Sequence, residues 1–310
     1  MKFKFLFTAL LVSGSVFACH DQRFGLALNQ RSFYNPASLC PYCKGSTFLA
    51  SGLNFMPGIK NDYGMYYAFG NDEDNIIHGP WDIAYSTSKT SDSYSSAFSL
   101  RYAYAMQFGK WKAALGMRGS FYSMRHANPD PGLENSMLSA KLFDSDAGIM
   151  VTNQKGLFIG ISMLHLGSPG KIVHTENGMA QVISTEQTLN VMGGYTQKIS
   201  DQWDVLPDLS FMNNKTESVL EPGAMIRFKH HYALGTGVTF ASNDAPSYEI
   251  RGGYMSSKFK WLTSAYQTPQ GWSVETGIVW RFWFTQECDG GVCTPKPNPW
   301  KKLDDFVRHR

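Results

Sequence analysis

The sequence predicts an all-β protein, a transmembrane antiparallel β-barrel of the bacterial outer membrane with about 14 strands, or 12 as the fallback count. Three observations predict it: an export signal, long two-residue alternation of apolar with small or polar side chains, and a composition poor in charge. Charged residues make up 17% of the 310, aromatics 14%, and there are 29 glycines. A soluble all-β sandwich would carry more charge and shorter strands.

The export signal comes first. Lys2 and Lys4 precede the apolar run Phe5 to Leu11, and Val16-Phe17-Ala18 offers a small-residue cleavage site. That run is too short to span a bilayer as a helix. Residues 1–18 are therefore read as a signal peptide. Cleavage would leave Cys19 at the mature N-terminus as a lipidation candidate. Phe17 is bulky for a lipobox, so ordinary cleavage stays open. The expected divisions are a periplasmic segment over 19–46, a barrel over 47–284 and a proline-rich periplasmic tail over 285–310.

Successive side chains of a strand point to opposite faces. Phe98, Leu100, Tyr102, Tyr104, Met106 and Phe108 share one face, and Ser99, Arg101, Ala103, Ala105 and Gln107 share the other. Trp111, Ala113, Leu115, Met117 and Phe121 oppose Lys112, Ala114, Gly116, Arg118 and Ser120, after the tight turn Gly109-Lys110. The pattern recurs through Tyr232–Phe240, Tyr248–Tyr254 and Val274–Phe284. The apolar face is rich in large aromatics and the other is small or polar, which places lipid outside and a tight, polar lumen inside.

These runs predict strands over 48–56, 63–70, 81–87, 96–108, 111–123, 142–152, 156–166, 188–199, 203–213, 223–230, 231–241, 247–256, 258–267 and 272–284. Loops over 124–141 and 167–187 are the long ones. Trp81, Trp111, Trp203, Trp261, Trp272 and Trp280 sit at strand ends as an expected interfacial girdle.

Cys40-Pro41-Tyr42-Cys43 precedes the first strand, and Cys288 and Cys293 follow the last. An even strand count brings both pairs to the periplasmic face. Disulfides among Cys40, Cys43, Cys288 and Cys293 suit that oxidising compartment, with three connectivities open. A four-thiolate zinc site is the lesser alternative, and a redox role is weaker still without a βαβ context. In the tail, Trp300, Leu303, Phe306 and Val307 are candidates for docking a periplasmic partner, against the plainer view of a solvated terminus.

Catalytic motifs are missing. No H-E-x-x-H, G-x-S-x-G, phosphate loop or EF-hand pattern occurs. Asp144 and Asp146 share a strand face, which fits lumen polarity better than a paired-carboxylate site. His230-His231 reads as a hairpin tip, and Asn214-Lys215-Thr216 is a glycosylation triplet without meaning in a bacterial barrel. No enzyme, no cofactor and, at a net charge of +3, no nucleic-acid partner is expected.

Several ordered segments resemble the PorP/SprF family of the Bacteroidota type IX secretion system. Asp21-Gln22-Arg23-Phe24 leading to Tyr34-Asn35-Pro36-Ala37 resembles that family's D-P-Q-F and N-P-A-Y-A-G opening. Phe143-Asp144, Ala147-Gly148-Ile149, Gly160-Ile161-Ser162, His165-Leu166, Gly194-Tyr195, Leu206-Pro207 and Gly235-Thr236-Gly237 continue the likeness in order. Ala37-Ser38-Leu39-Cys40 departs from A-Y-A-G. The resemblance implies an accessory barrel of secretion or gliding. Its partners would be a secreted adhesin-like cargo protein, type IX secretion ring components and the lipid bilayer. A diffusion channel or FadL-like transporter for small molecules is the alternative.

Overall fold

A computed structural model describes residues 35–38, 47–55, 63–71, 80–89, 93–127, 137–153, 155–167, 170–174, 180–184, 186–229, 231–242, 244–256, 259–268, 271–282, 286–289 and 292–295. The signal peptide, Cys19, Cys40, Cys43, Trp300, Leu303, Phe306 and Val307 lie outside the described residues.

The strands are β1 (Thr47–Phe55), β2 (Tyr63–Asn71), β3 (Trp81–Lys89), β4 (Ser93–Phe108), β5 (Trp111–Ala127), β6 (Met137–Asn153) and β7 (Phe158–Leu164). A hairpin, β8 (Gly170–His174) and β9 (Ala180–Ser184), follows. Next come β10 (Thr188–Gly194), the two-residue β11 (Gln197–Lys198), β12 (Trp203–Asn213), β13 (Ser218–Phe228), β14 (Tyr232–Ala241), β15 (Ser247–Met255), β16 (Phe259–Thr268) and β17 (Gly271–Phe282). A last hairpin joins β18 (Gln286–Asp289) to β19 (Val292–Pro295).

Every neighbouring pair in the main sheet is antiparallel, and β1 pairs with β17 from Thr47↔Phe282 to Phe55↔Val274. The pairing of β10 with β12 joins the two halves, so the sheet closes. Setting aside β11, the ring contains the fourteen strands that the alternation predicts. Closure satisfies every strand edge, which a lipid-facing sheet requires.

The faces divide as expected. On β4, Phe98, Leu100 and Tyr102 are 47–55% exposed, while Arg101, Ala103 and Ala105 are at most 3% exposed. Large apolar groups therefore cover the outside, and small, polar and charged groups, with buried apolar clusters that include Tyr66, Met150 and Met225, fill the inside. Such exposure would be prohibitive in water and is normal in hydrocarbon. Trp111, Trp203, Trp261 and Trp280 are exposed near the rim that carries Thr47 and Phe282, with Trp81 half-buried beside them. Trp272 is exposed at the opposite rim. The girdle is thus strongest at the rim where both chain ends leave the barrel.

The structure corrects several expected boundaries. β5 runs to Ala127 and β6 begins at Met137, so the predicted loop over 124–141 shortens to 128–136. Cross-strand pairing of Met124↔Ala140 and Tyr122↔Leu142 continues the ladder through polar residues such as Arg125, which do not break it. The loop after β7 carries the hairpin β8–β9. The expected strand over 188–199 divides into β10 and β11. The strand expected from residue 223 starts at Ser218, with Pro222 inside it. The proline-rich tail carries a strand, β19, that ends at Pro295.

Candidate functional site

Residues Asn35–Ser38 belong to the segment expected outside the barrel, yet they sit in its lumen. Asn35-Pro36 is a strong turn signal: proline presets the second turn position, and asparagine bonds its own backbone two residues on. Here Ser38 N donates to Asn35 O at 2.9 Å, and Ala37 N donates to Asn35 Oδ1 at 2.9 Å. The compact turn leaves the Asn35 amide group pointing at the wall. Its Nδ2 donates to Ile149 O on β6 at 2.9 Å and to Ile161 O on β7 at 3.2 Å. Carbonyls already in a ladder keep a second lone pair for such a donor.

Glycines make room for this approach. A methyl group on Gly116 would overlap the backbone of Pro36 and Ala37, and one on Gly148 would overlap the Asn35 side chain. Asn35 and Ala37 are fully buried, and Ala37 joins a small apolar cluster with Ala105, Ala114, Met150, Phe158 and Met192. The turn therefore plugs the inner face of β4–β7 and reaches β10.

Charged side chains hold the same wall. Asp82↔Arg101, Arg101↔Arg118 and Arg118↔Asp146 are directly opposed pairs on β3, β4, β5 and β6. Two opposed arginines would repel, but a carboxylate flanks each. Arg101 Nε lies 2.5 Å from Asp82 Oδ2, and Arg118 Nε lies 2.6 Å from Asp146 Oδ2. Arg101 Nη1 also donates to Pro36 O at 3.3 Å and Ser38 O at 3.1 Å, tying the plug to the charge row.

Asp144 and Asp146, the sequence's paired-carboxylate candidate, lie beside His165 at the root of the long loop. The donor atoms of these three buried residues fall within 4.8 Å of one another. Each carboxylate is already engaged: Asp144 holds His165 Nδ1 and accepts Ser145 N, while Asp146 accepts His165 N at 2.7 Å as well as Arg118. His165 adopts a left-handed backbone (φ 56°), and Leu166 N donates to Ser145 O at 2.8 Å. The group therefore latches the loop onto β6 rather than presenting open metal ligands.

The opposite wall differs. Arg251 Nη1 reaches Asp208 Oδ2 at 3.2 Å, and Arg251 Nε lies 3.5 Å from Glu249 Oε2. Glu221 borders the same cavity, and Glu275 accepts the Tyr266 hydroxyl at 3.1 Å. Carboxylates outnumber cations here, although Asp204 and Arg227 pair one to one nearer the rim. The β13–β14 ladder lapses at Glu221-Pro222 between Leu220↔Phe240 and Gly223↔Gly237, because proline has no N–H to donate. A cavity of about 30 Å³ adjoins this gap, lined by lumen-facing Asp208, Glu249 and Arg251, by wall residues Leu209, Pro222 and Val238, and by Phe158 and Met192 of the cluster that holds Ala37. It has room for one or two waters, roughly.

Sequence reasoning placed Arg101, Arg118, Glu249 and Arg251 on the lumen face but missed their partners Asp82 and Asp208, and it picked out His165 only within the family resemblance, without a role. Asn35-Pro36-Ala37 stood out only through the family resemblance. Its turn chemistry, set against the wall glycines at 116 and 148, was the available signal. His231 donates through its backbone to Phe228 O at 3.0 Å in a hairpin connection, as the sequence suggests.

No family model and no curated protein matches the chain. Among solved structures, the CymD monoaromatic hydrocarbon channel aligns with a TM-score of 0.50 at 14% identity, over 84% of this chain and 94% of its own. The deltaS2 mutant of the TodX monoaromatic hydrocarbon channel gives 0.50 at 10% identity, over 81% and 93%. The Pseudomonas putida toluene transporter TodX itself gives 0.48 at 9% identity, over 83% and 94%. The likeness is one of fold: this chain is a fourteen-stranded β-barrel of the bacterial outer membrane.

Proposed function

We propose that the protein is an outer-membrane channel for small uncharged or cationic molecules, closed by its own Asn35–Ser38 segment. The observation that carries this reading is the plug itself. A short turn lies inside the lumen against β4–β7, is held by a few hydrogen bonds and one arginine, and belongs to a segment that is not part of the wall. The hydrocarbon-channel neighbours named above are in keeping with it. The surplus of carboxylates on the wall facing the plug disfavours anions.

The experiment is planar-bilayer conductance of the mature protein and of a form lacking residues 19–46. The intact protein should conduct little and the shortened one steadily, with cations carrying most of the current. Equal, negligible conductance from both forms would discard the channel reading. Anchoring of a secreted adhesin-like cargo, with contact to secretion ring components, rests on the sequence resemblance alone. Specific capture of a large adhesin, with no conductance gain on shortening, would put that role first.

A further inference from the structure

We propose that Cys288 and Cys293 form an intramolecular disulfide that closes the hairpin following the barrel. β18 and β19 pair antiparallel, and Cys288 stands directly opposite Cys293, with Asp289 opposite Val292. Directly opposed residues of an antiparallel pair have Cα atoms about 4.5 or 5.5 Å apart, according to whether they exchange hydrogen bonds. Both values fall within the range of roughly 4.4–6.8 Å that a disulfide spans. Residues so opposed also sit on one face of the ribbon. The register therefore brings the two cysteines within reach, most closely if the pair is of the non-hydrogen-bonded type, whose Cβ separation of about 4.5 Å a disulfide spans.

Two further features favour the bond. Only Gly290-Gly291 separates the two strands, and Gly-Gly is a preferred composition for two-residue hairpin connections. The ribbon forms its own two-stranded sheet and pairs with no described barrel strand. Such an isolated hairpin is marginal in water, and a crosslink offsets that weakness. Since the barrel is an outer-membrane one, the tail leaves it at the rim shared with Thr47, on the oxidising periplasmic side for an even-stranded barrel.

The reaction is thiol–disulfide exchange. Two thiols lose two protons and two electrons, and the sulfur–sulfur bond forms. The electrons reduce the disulfide of a thiol–disulfide oxidoreductase to a dithiol. The assignment selects one of the three pairings open to Cys40, Cys43, Cys288 and Cys293, the one that joins neighbours in sequence. It also removes two of the four thiolates that a zinc site would need.

Tryptic mapping of full-length protein, purified from membranes and alkylated without reduction, tests this directly. Cleavage places Cys40 and Cys43 in the peptide 32–44, and Cys288 and Cys293 in the peptide 282–301, because Pro297 protects the bond after Lys296. The expected result is an unalkylated 282–301 peptide, two hydrogens lighter than the dithiol, that takes up two alkyl groups after reduction. A crosslinked species of 32–44 with 282–301 would overturn the pairing. So would alkylated Cys288 and Cys293 before reduction. Neither outcome bears on whether the barrel conducts.

Discussion

Along β3–β6 two carboxylates flank two guanidiniums, Asp82-Arg101-Arg118-Asp146, whereas on the far wall Asp208, Glu221 and Glu249 gather near Arg251. The first wall also carries the plug, glycine clearances and an unbroken ladder between β4 and β5. The second carries a lapsed ladder at Pro222 and a small cavity. Charge balanced within one wall can be buried under a docked segment, because each ion keeps its partner once water leaves. Charge in excess must keep contact with water or with something cationic. In the proposed channel the first wall would close the lumen and the second would face whatever passes.

The largest expected effect comes from breaking the balanced row. Arg101→Met leaves Asp82 buried without its ion partner and removes two hydrogen bonds to the plug. Removing one member of a buried pair costs about 3–5 kcal/mol. Denaturant unfolding in lipid vesicles should show that loss for Arg101→Met. Glu249→Gln, which relieves an excess charge, should shift stability by less than about 1 kcal/mol. Equal losses for both variants would erase the proposed distinction between the walls.

Next is Asn35→Ala. It removes two hydrogen bonds donated to the wall and one within the turn. At about 1 kcal/mol each, the docking equilibrium should move by roughly two decades toward release. Single-channel recording reads this as frequent openings in the variant and rare ones in the parent. An unchanged open fraction would mean that the turn is held by other parts of the segment.

The outer surface serves as the control, because lipid does not distinguish the two walls. Leu100 on β4 and Ile250 on β15 are both more than half exposed on the lipid face. Arginine at either position should cost a similar amount, about 2–4 kcal/mol near mid-bilayer. Folding titrations that found one site tolerant would show that part of the wall does not meet hydrocarbon.

That outer surface is also where the sequence was most legible. Alternation over a strand needs only local information, so Phe98 to Phe108 announces its lipid face without knowledge of its neighbours. Strand ends were less legible, since ladders such as Met124↔Ala140 continue through stretches where the alternation of apolar residues fades. The lumen was partly hidden for a different reason. Arg101 and Arg118 could be assigned inward, but their carboxylate partners depend on register across strands 19 and 28 residues apart in sequence. The plug depends on a contact between Asn35 and β6, 114 residues away, which no periodicity encodes.

The smallest effect is the most specific to the far wall. With the plug removed by deleting residues 19–46, current would flow past Asp208, Glu249 and Arg251. Converting Glu249 to glutamine cancels one negative charge while keeping size and hydrogen-bonding capacity, so the wall becomes less acidic without being rebuilt. Across a water-filled lumen the field of one charge is strongly screened. The cation-to-anion permeability ratio should therefore fall by only about two- to fivefold, less than about 1 kcal/mol. Reversal potentials in a salt gradient measure it. The same charge removal at Asp82, a plug-wall carboxylate that Arg101 already neutralises, should lower the ratio less than the change at Glu249. A larger drop at Glu249 than at any plug-wall carboxylate is what the two-wall reading requires, and the reverse order would refute it.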